Sequence, residues 1–232
     1  LMQRVLRVVG LIALITVGLF IAGQLWVFSH VLYWRGANPA STSFMQARLE
    51  ALREKNANAR LVQTWVPYER ISPQLKRAII AAEDAKFIDH EGFDWEGIQR
   101  AMDRNQKRGK VVAGGSTITQ QLAKNLFLSG SRSFARKGEE ALIAAMLEAA
   151  MSKRRIFEIY LNVVEWGENV FGAEAAARHY YGVSASQLSA EQAATLAATL
   201  PRPRFYERNR GSQYLAGYAG TILARMPQSQ VP

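Results

Sequence analysis

The sequence contains no cysteine, which excludes disulfides, thiolate-bound metals and cysteine nucleophiles. Histidine is nearly as scarce: His30, His90 and His179 are scattered, and the H-E-x-x-H spacing of a helical zinc site does not occur. No G-x-x-x-x-G-K-[ST] sequence is present, which removes the commonest nucleotide-phosphate loop. With seven prolines and no low-complexity run, the chain has no signature of disorder, and it has no internal repeat. Acidic residues are the minority charge, 19 Asp and Glu against 29 Lys and Arg, a formal net charge of +10. That excess points to an anionic partner: nucleic acid, an acidic lipid surface or a phosphate-bearing substrate. Nucleic acid fits least, because the aromatics are not interleaved with the basic residues and no nucleic-acid motif is found.

Charge is missing altogether from Val8 to Trp34, where no Asp, Glu, Lys or Arg occurs. The run "VVGLIALITVGLFIAGQLWVF" (8–28) is almost wholly apolar. Twenty-one helical residues reach about 32 Å, close to the roughly 30 Å hydrocarbon core of a bilayer. A cleaved signal peptide would carry a shorter apolar core of about 7–15 residues, so the sequence reads as an uncleaved anchor. Trp26, Tyr33 and Trp34 stand at its far end, where amphipathic rings prefer the interface. Arg4 and Arg7 precede it and favour an N-in, C-out orientation, a bias that Arg35 and Arg48 weaken. The expected organisation is a basic segment and transmembrane anchor at 1–35, a juxtamembrane linker at 36–59, one globular domain at 60–226 and a short tail at 227–232.

Helix signals fill the globular part. Ser72 before Pro73 gives an N-cap and a pre-set first position. Asp94 can cap "WEGIQRAMDRNQKR", with basic residues in its last turn and Gly109 beyond. Ser133 can start a long helix through Met151, and Ser152 can cap "KRRIFEIYLN". Gly182 ends "AEAAARHYYG"; Ser189 and Gln192 form a capping box before "AATLAATL", which stops at Pro201. A last helix covers about 211–226, whereas 60–72 reads as irregular or strand-like, broken by Pro67. Strands and helices do not alternate, so the fold class expected is mainly α, one compact helical domain behind one N-terminal transmembrane helix.

Three stretches carry chemistry. In "EDAKFIDHEG" (83–92), Glu83 follows the apolar run Ala78-Ile79-Ile80-Ala81-Ala82. A carboxylate against an apolar helix face is poorly solvated, so its pKa rises toward the range in which it exchanges protons near neutrality. Asp84, Asp89 and Glu91 stay ionised if they face water. In "GGSTITQQLAKN" (114–125), two glycines precede a helix start, a turn that can offer backbone N–H groups to an anion, with Lys124 one to two turns on. In "RSFARKGEEALIAAMLEAAMSKRR" (132–155), Arg132, Arg136 and Lys137 precede Glu139 and Glu140, and Arg136 and Glu140 are four apart on one helix face. That pair is either a surface ion pair of little worth or a second carboxylate held for positioning, and spacing does not choose between them. An acid–base carboxylate, a second carboxylate and four or five cations behind a membrane anchor suit group transfer from a lipid-linked phosphate.

These stretches, with "RKGEE", "KRRIFEIYLN" and "GAEAAARHYYG", resemble the five ordered motifs of glycosyltransferase family 51, over about Trp65 to Tyr206. The resemblance is to the monofunctional, Gram-negative branch. The relatives known as class A penicillin-binding proteins add a transpeptidase domain, and no S-x-x-K or K-T-G sequence occurs in this chain. The resemblance implies a lysozyme-like helical glycosyltransferase domain with a membrane-dipping part. It implies polymerisation of lipid II, the undecaprenyl-pyrophosphate-linked disaccharide-pentapeptide, into linear glycan with inversion, and no transpeptidase activity. It implies Glu83 as general base, Glu140 as the second catalytic glutamate, and Lys124, Arg132, Arg136, Lys137 and Lys153 around the pyrophosphate. Ser116, Gln120, Gln121 and Asn125 become polar liners. Asp84 becomes the ligand of a divalent cation, magnesium or manganese, that assists without being obligatory. Tyr181 stands where many members have Phe. The implied partners are lipid II, the nascent glycan strand, the bacterial inner membrane and cell-wall synthesis or division proteins, and not nucleic acid. The implied ligand is the inhibitor moenomycin, and the implied location a single-pass inner-membrane protein with a periplasmic catalytic domain. A lytic muramidase would share the fold and a single glutamate but would not need the cations; a non-catalytic assembly partner would not need Glu83 and Glu140 together.

Overall fold

The computed structural model describes residues 2–110, 114–128 and 133–232. Among these the chain forms eleven α-helices and one pair of two-residue strands, the mainly α architecture that the capping signals require. Helix α1 (Met2–Tyr33) is long and apolar enough to cross a bilayer, with mean hydropathy 2.5 over a stretch of which none is buried. Its far end is different. Val27 and Val31 are buried, and Trp26 and Trp34 lie on Phe127 of α5 (Ile118–Phe127), with ring centroids 6.3 and 5.3 Å away. Arg155 of α7 (Lys153–Val163) donates to the carbonyl oxygen of Trp34 at 2.9 Å and to that of Ala37 at 2.5 Å. The last two turns of the apolar helix are therefore packed into the globular unit.

Within the juxtamembrane segment 36–59, the polar stretch 44–55 reads as a helix in the sequence and largely is one. Thr42 caps α2 (Ser43–Arg53) by accepting from Met45 N, and α2 packs against α5 with Met45 buried. Arg48 holds the helix down through Glu165, Nε to Oε1 at 2.8 Å. The polar composition of 44–55 hid a single buried methionine that is enough to dock the helix.

The core is built on α3 (Pro73–Glu83), which packs against α9 (Ala190–Thr199) and α11 (Gln213–Arg225). Ser72 caps α3 by accepting from Gln74 N, and Pro73 opens it. Leu75, Ile79 and Ile80 are fully buried; burying each such side chain contributes about 1.5–3 kcal/mol. Helix α5 packs against both α6 (Phe134–Ala150) and α7. Helix α4 (Trp95–Arg108) is capped by Asp94 and ends at Gly109 with φ +62°, as its sequence requires. The short α10 (Pro203–Arg208) leads into α11.

The stretch 60–72 contains β1 (Val62–Gln63), which pairs in parallel with β2 (Val170–Phe171), Val62 opposite Val170. Asn162, fully buried at the end of α7, pins this stretch: its amide donates to the carbonyl of Val66 and accepts from Val66 N. Gly172 then turns into α8 (Ala173–Tyr181) at φ +80°, where a Cβ would meet the Asn162 carbonyl oxygen at 2.6 Å, so only glycine fits.

Candidate active site

Three elements converge on Glu83. It is the last residue of α3, so its position is set by a helix whose Leu75, Ile79 and Ile80 are anchored in the core. Burial pushes its carboxyl pKa up; a hydrogen bond from Gln121 and the charge of Lys124 oppose that rise, and Asp84 adds to it. Gln121, on α5, donates from Nε2 to Glu83 Oε2 at 2.7 Å. Tyr160, fully buried on α7, donates from its hydroxyl to Gln121 Oε1 at 3.0 Å. Lys124 lies three residues beyond Gln121 on the same helix. Burial lowers its pKa, Arg136 and Lys137 lower it further, and Glu140 and Glu83 act against them. Lys124 thus feels both glutamates and two further cations.

Glu140 is buried on α6 and is paired with Lys137, one turn before it. By spacing Arg136, four residues earlier, shares a helix face with Glu140, and Lys137, three residues earlier, makes an ion pair with that carboxylate. Lys137 also donates to Ser116 Oγ at 3.1 Å, which ties the start of α6 to the turn before α5. Arg136 is part-buried and close enough to Lys124 to depress its pKa. Arg132 lies outside the described residues.

Other expected site residues have structural duties. Gln120 is buried and closes a capping box with Thr117 at the start of α5, its amide oxygen accepting from Thr117 N at 3.0 Å. Asn125 is buried on the same helix. Lys153 donates to Glu148 Oε1 at 2.7 Å and stands 4.6 Å over the Phe87 ring, and Thr119 donates to the same Glu148 oxygen at 2.6 Å.

Whether Asp84, Asp89 and Glu91 face water differs among the three. The latter two are exposed, but Asp84 is buried. Its Oδ1 lies 2.9 Å from His90 Nε2, and its Oδ2 accepts from Ile118 N at 3.0 Å. The anion position that the Gly-Gly turn offers at the start of α5 is filled by the protein's own carboxylate, where the helix dipole favours it. Gly92, at φ +89°, completes the joint: its carbonyl accepts from Thr117 Oγ1 at 2.7 Å, and a Cβ there would press on Glu148. Both Asp84 oxygens are engaged, and among the described residues no group of three or more His, Asp or Glu is placed to share an ion. These residues do not fit a resident divalent cation.

Sequence reasoning missed Tyr160, Glu148, His90 and Thr117. Glu148 carried the same signal as Glu83, a carboxylate inside an apolar run, "ALIAAMLEAAM". Tyr160 carried none, since "IFEIYLN" reads as core.

By composition the apolar residues of 109–128, with Lys107, Arg108 and Lys110 just before them, suit a membrane-dipping face as well as a core. Ile118, Leu122, Leu126 and Leu128 are buried, because α5 runs through the middle of the fold; Val111 and Val112 lie outside the described residues. The exposed large apolar side chains nearby are Trp95 (72%) and Met102 (60%) on α4 and Phe134 (98%) at the start of α6. Exposed Arg104, Lys107, Arg108 and Lys110 follow on α4 and just beyond it.

A carboxyl kept reluctant to ionise, beside a desolvated lysine within a cluster of cations, can take a proton from a hydroxyl while an anionic leaving group is stabilised close by. Comparison with known proteins agrees with that chemistry. Residues 49–227 match the family model described as Transglycosylase. The chain is 62% identical over 226 residues to the biosynthetic peptidoglycan transglycosylase of Dechloromonas aromatica, covering 97% of this chain and 98% of that one. It is 62% identical over 209 residues to that of Nitrosospira multiformis, covering 90% and 91%, and 57% identical over 231 residues to that of Azoarcus sp., covering 100% of both.

Proposed function

The chain belongs to the transglycosylase family, as a peptidoglycan glycosyltransferase of cell-wall synthesis, and from that premise we propose how its residues divide the work. Glu83, as the carboxylate, takes the proton from the 4-hydroxyl of the acceptor sugar of lipid II. The freed oxygen attacks C1 of the growing strand from the face opposite the pyrophosphate. One glycosidic bond forms, the bond from C1 to the pyrophosphate oxygen breaks, and undecaprenyl pyrophosphate leaves with its electron pair. The anomeric configuration is inverted.

Lys124 meets the charge that develops on the departing oxygen, with Arg136, Lys137 and Arg132 around the rest of the pyrophosphate. A charge-assisted contact in a desolvated site is worth more than the same contact in water. Glu140 holds Lys137 and balances Lys124, so it orients the cations. Ser116 steadies Lys137. Lys153, held by Glu148, is a further cation that the family resemblance assigns to the pyrophosphate. The single observation that carries this reading is the placement of Glu83 at the end of α3, held by Gln121 Nε2 at 2.7 Å and within the influence of Lys124, itself set among Glu140, Arg136 and Lys137.

Helix α1 spans the bacterial inner membrane with the globular domain on the periplasmic side. A lipid-tailed substrate requires a site close to the bilayer, and the clamp of Arg155 on Trp34 and Ala37 supports a fixed distance between the two. Incubation of the full chain with lipid II tests the reading. Long linear glycan with no peptide cross-links is expected; release of fragments from preformed strands would mark a lytic enzyme, and no reaction a non-catalytic partner.

A further inference from the structure

We propose that Tyr160 is a positioning residue for Glu83, acting through the Gln121 amide; the inference rests on Glu83 being the general base. Three groups form one line that runs from the buried phenol out to the part-buried Gln121 and Glu83. The Tyr160 hydroxyl lies 3.0 Å from Gln121 Oε1, and Gln121 Nε2 lies 2.7 Å from Glu83 Oε2.

A glutamine amide can face either way, and what decides it is the chemistry of its neighbours. An ionised carboxylate only accepts, so it requires the NH2 end. The carbonyl end then meets Tyr160, which must donate. With the amide reversed, the Gln121 carbonyl would point at the Glu83 carboxylate and two negative ends would face each other. Tyr160 remains able to donate throughout, because burial and the nearby charges of Glu83 and Asp84 hold its phenol well above the usual value. The phenol thus fixes the amide, and the amide fixes the oxygen of Glu83 that must point at the acceptor hydroxyl. Without the phenol the amide loses its orientation, and the carboxylate loses a donor that favours its ionised form.

Other groups act on Glu83 from every side. Asp84, just past the end of α3, raises its pKa and Lys124 on α5 lowers it. From α11, Tyr218 donates to the Ala82 carbonyl at 3.2 Å and is itself influenced by Glu83. None of these is changed by removing one oxygen from Tyr160, whose ring stays packed beside Phe157.

The test measures lipid II polymerisation across pH for the wild type, Tyr160→Phe, Gln121→Met and the double variant. Tyr160→Phe is expected to lower kcat about ten-fold, a fraction of what a general base supplies, with KM for lipid II within two-fold. Its acidic limb should move to higher pH. The double variant should be no worse than Gln121→Met alone, since the phenol acts only through the amide. A wild-type pH profile in Tyr160→Phe, or losses that multiply in the double variant, would overturn the proposal. If Tyr160→Phe does not fold, the wild type itself decides by NMR: the Tyr160 hydroxyl proton should shift as Glu83 titrates, and indifference to that titration would overturn the proposal. These outcomes are separate from failure of the functional reading, which would show as no polymer from the wild type or full activity in Glu83→Gln.

Discussion

Replacing Lys124 by methionine removes one positive charge from between two glutamates and keeps most of the packing. Its expected effect follows from its surroundings. Lys124 is depressed in pKa mainly by burial, so its charge is desolvated and acts at short range. Losing a preorganised group that meets developing negative charge costs about 10²–10³ in kcat. Arg136 and Lys137 remain nearby and offset part of the loss, which places the expected fall near 10²-fold, about 2.7 kcal/mol of transition-state stabilisation. A second signature follows from the same site. Lys124 lowers the pKa of Glu83; with the charge gone, that pKa rises further, so the acidic limb of the rate profile moves to higher pH. The fold should not suffer. A lysine whose folded-state pKa lies below its unfolded value costs stability at pH values where it is charged, so its removal should leave the melting temperature unchanged or higher near pH 7. The assay is glycan formation from lipid II under turnover conditions, with kcat and KM separated across pH. A normal kcat with only a raised KM would mean that Lys124 binds substrate and leaving group equally and refute its role in the chemical step. An unchanged rate and KM would place the pyrophosphate elsewhere.

Asp84→Asn should act on stability first: it weakens the contacts to His90 and to Ile118 N at a buried helix start. A loss of roughly 2 kcal/mol, some 4–8 °C in melting temperature for a chain of this size, is expected from thermal unfolding, and magnesium or manganese should not shift that midpoint. Moenomycin should bind Lys124→Met and Arg136→Ala more weakly in a displacement assay; undiminished affinity in both would move the phosphate site. The protein without residues 2–25, which keeps Trp26, Val27 and Val31 in their packed places, should still co-sediment with anionic vesicles through Trp95, Met102, Phe134 and the adjacent cations, and less so at high salt. Full solubility at both salt concentrations would leave the anchor as the only membrane contact.

Helix boundaries were the most legible feature of the sequence, because Ser72, Asp94, Ser133, Ser152 and Ser189 each cap the helix that follows, and Gly109 and Gly182 each end one. Those are local signals, set by a side chain and an amide two or three residues away. Glu83 was legible for a related reason: its burial could be read from the five apolar residues before it. What stayed hidden depended on neighbours far along the chain. Asp84 and Glu83 are adjacent and chemically alike, yet one fastens α5 through Ile118, 34 residues away, and the other faces Gln121. The apolar residues of α5 suited a membrane face and a core equally well, and only the packing of α6 and α7 around them decides for the core. Tyr160 and Val27 were invisible as site and docking residues because each sits in a run whose composition is already explained by burial.

The most direct measurement compares the wild type with Glu83→Gln on lipid II. The substitution keeps the side chain's size and its place beside Gln121 but cannot take up a proton. Since the folded state favours the uncharged form of Glu83, the variant should melt no lower than the wild type near pH 7. The wild type should build long linear glycan, with activity falling as the pH drops through the raised pKa of Glu83, while the folded variant builds none. Glycan formed by Glu83→Gln at close to the wild-type rate would show that the proton goes to another group and contradict the account.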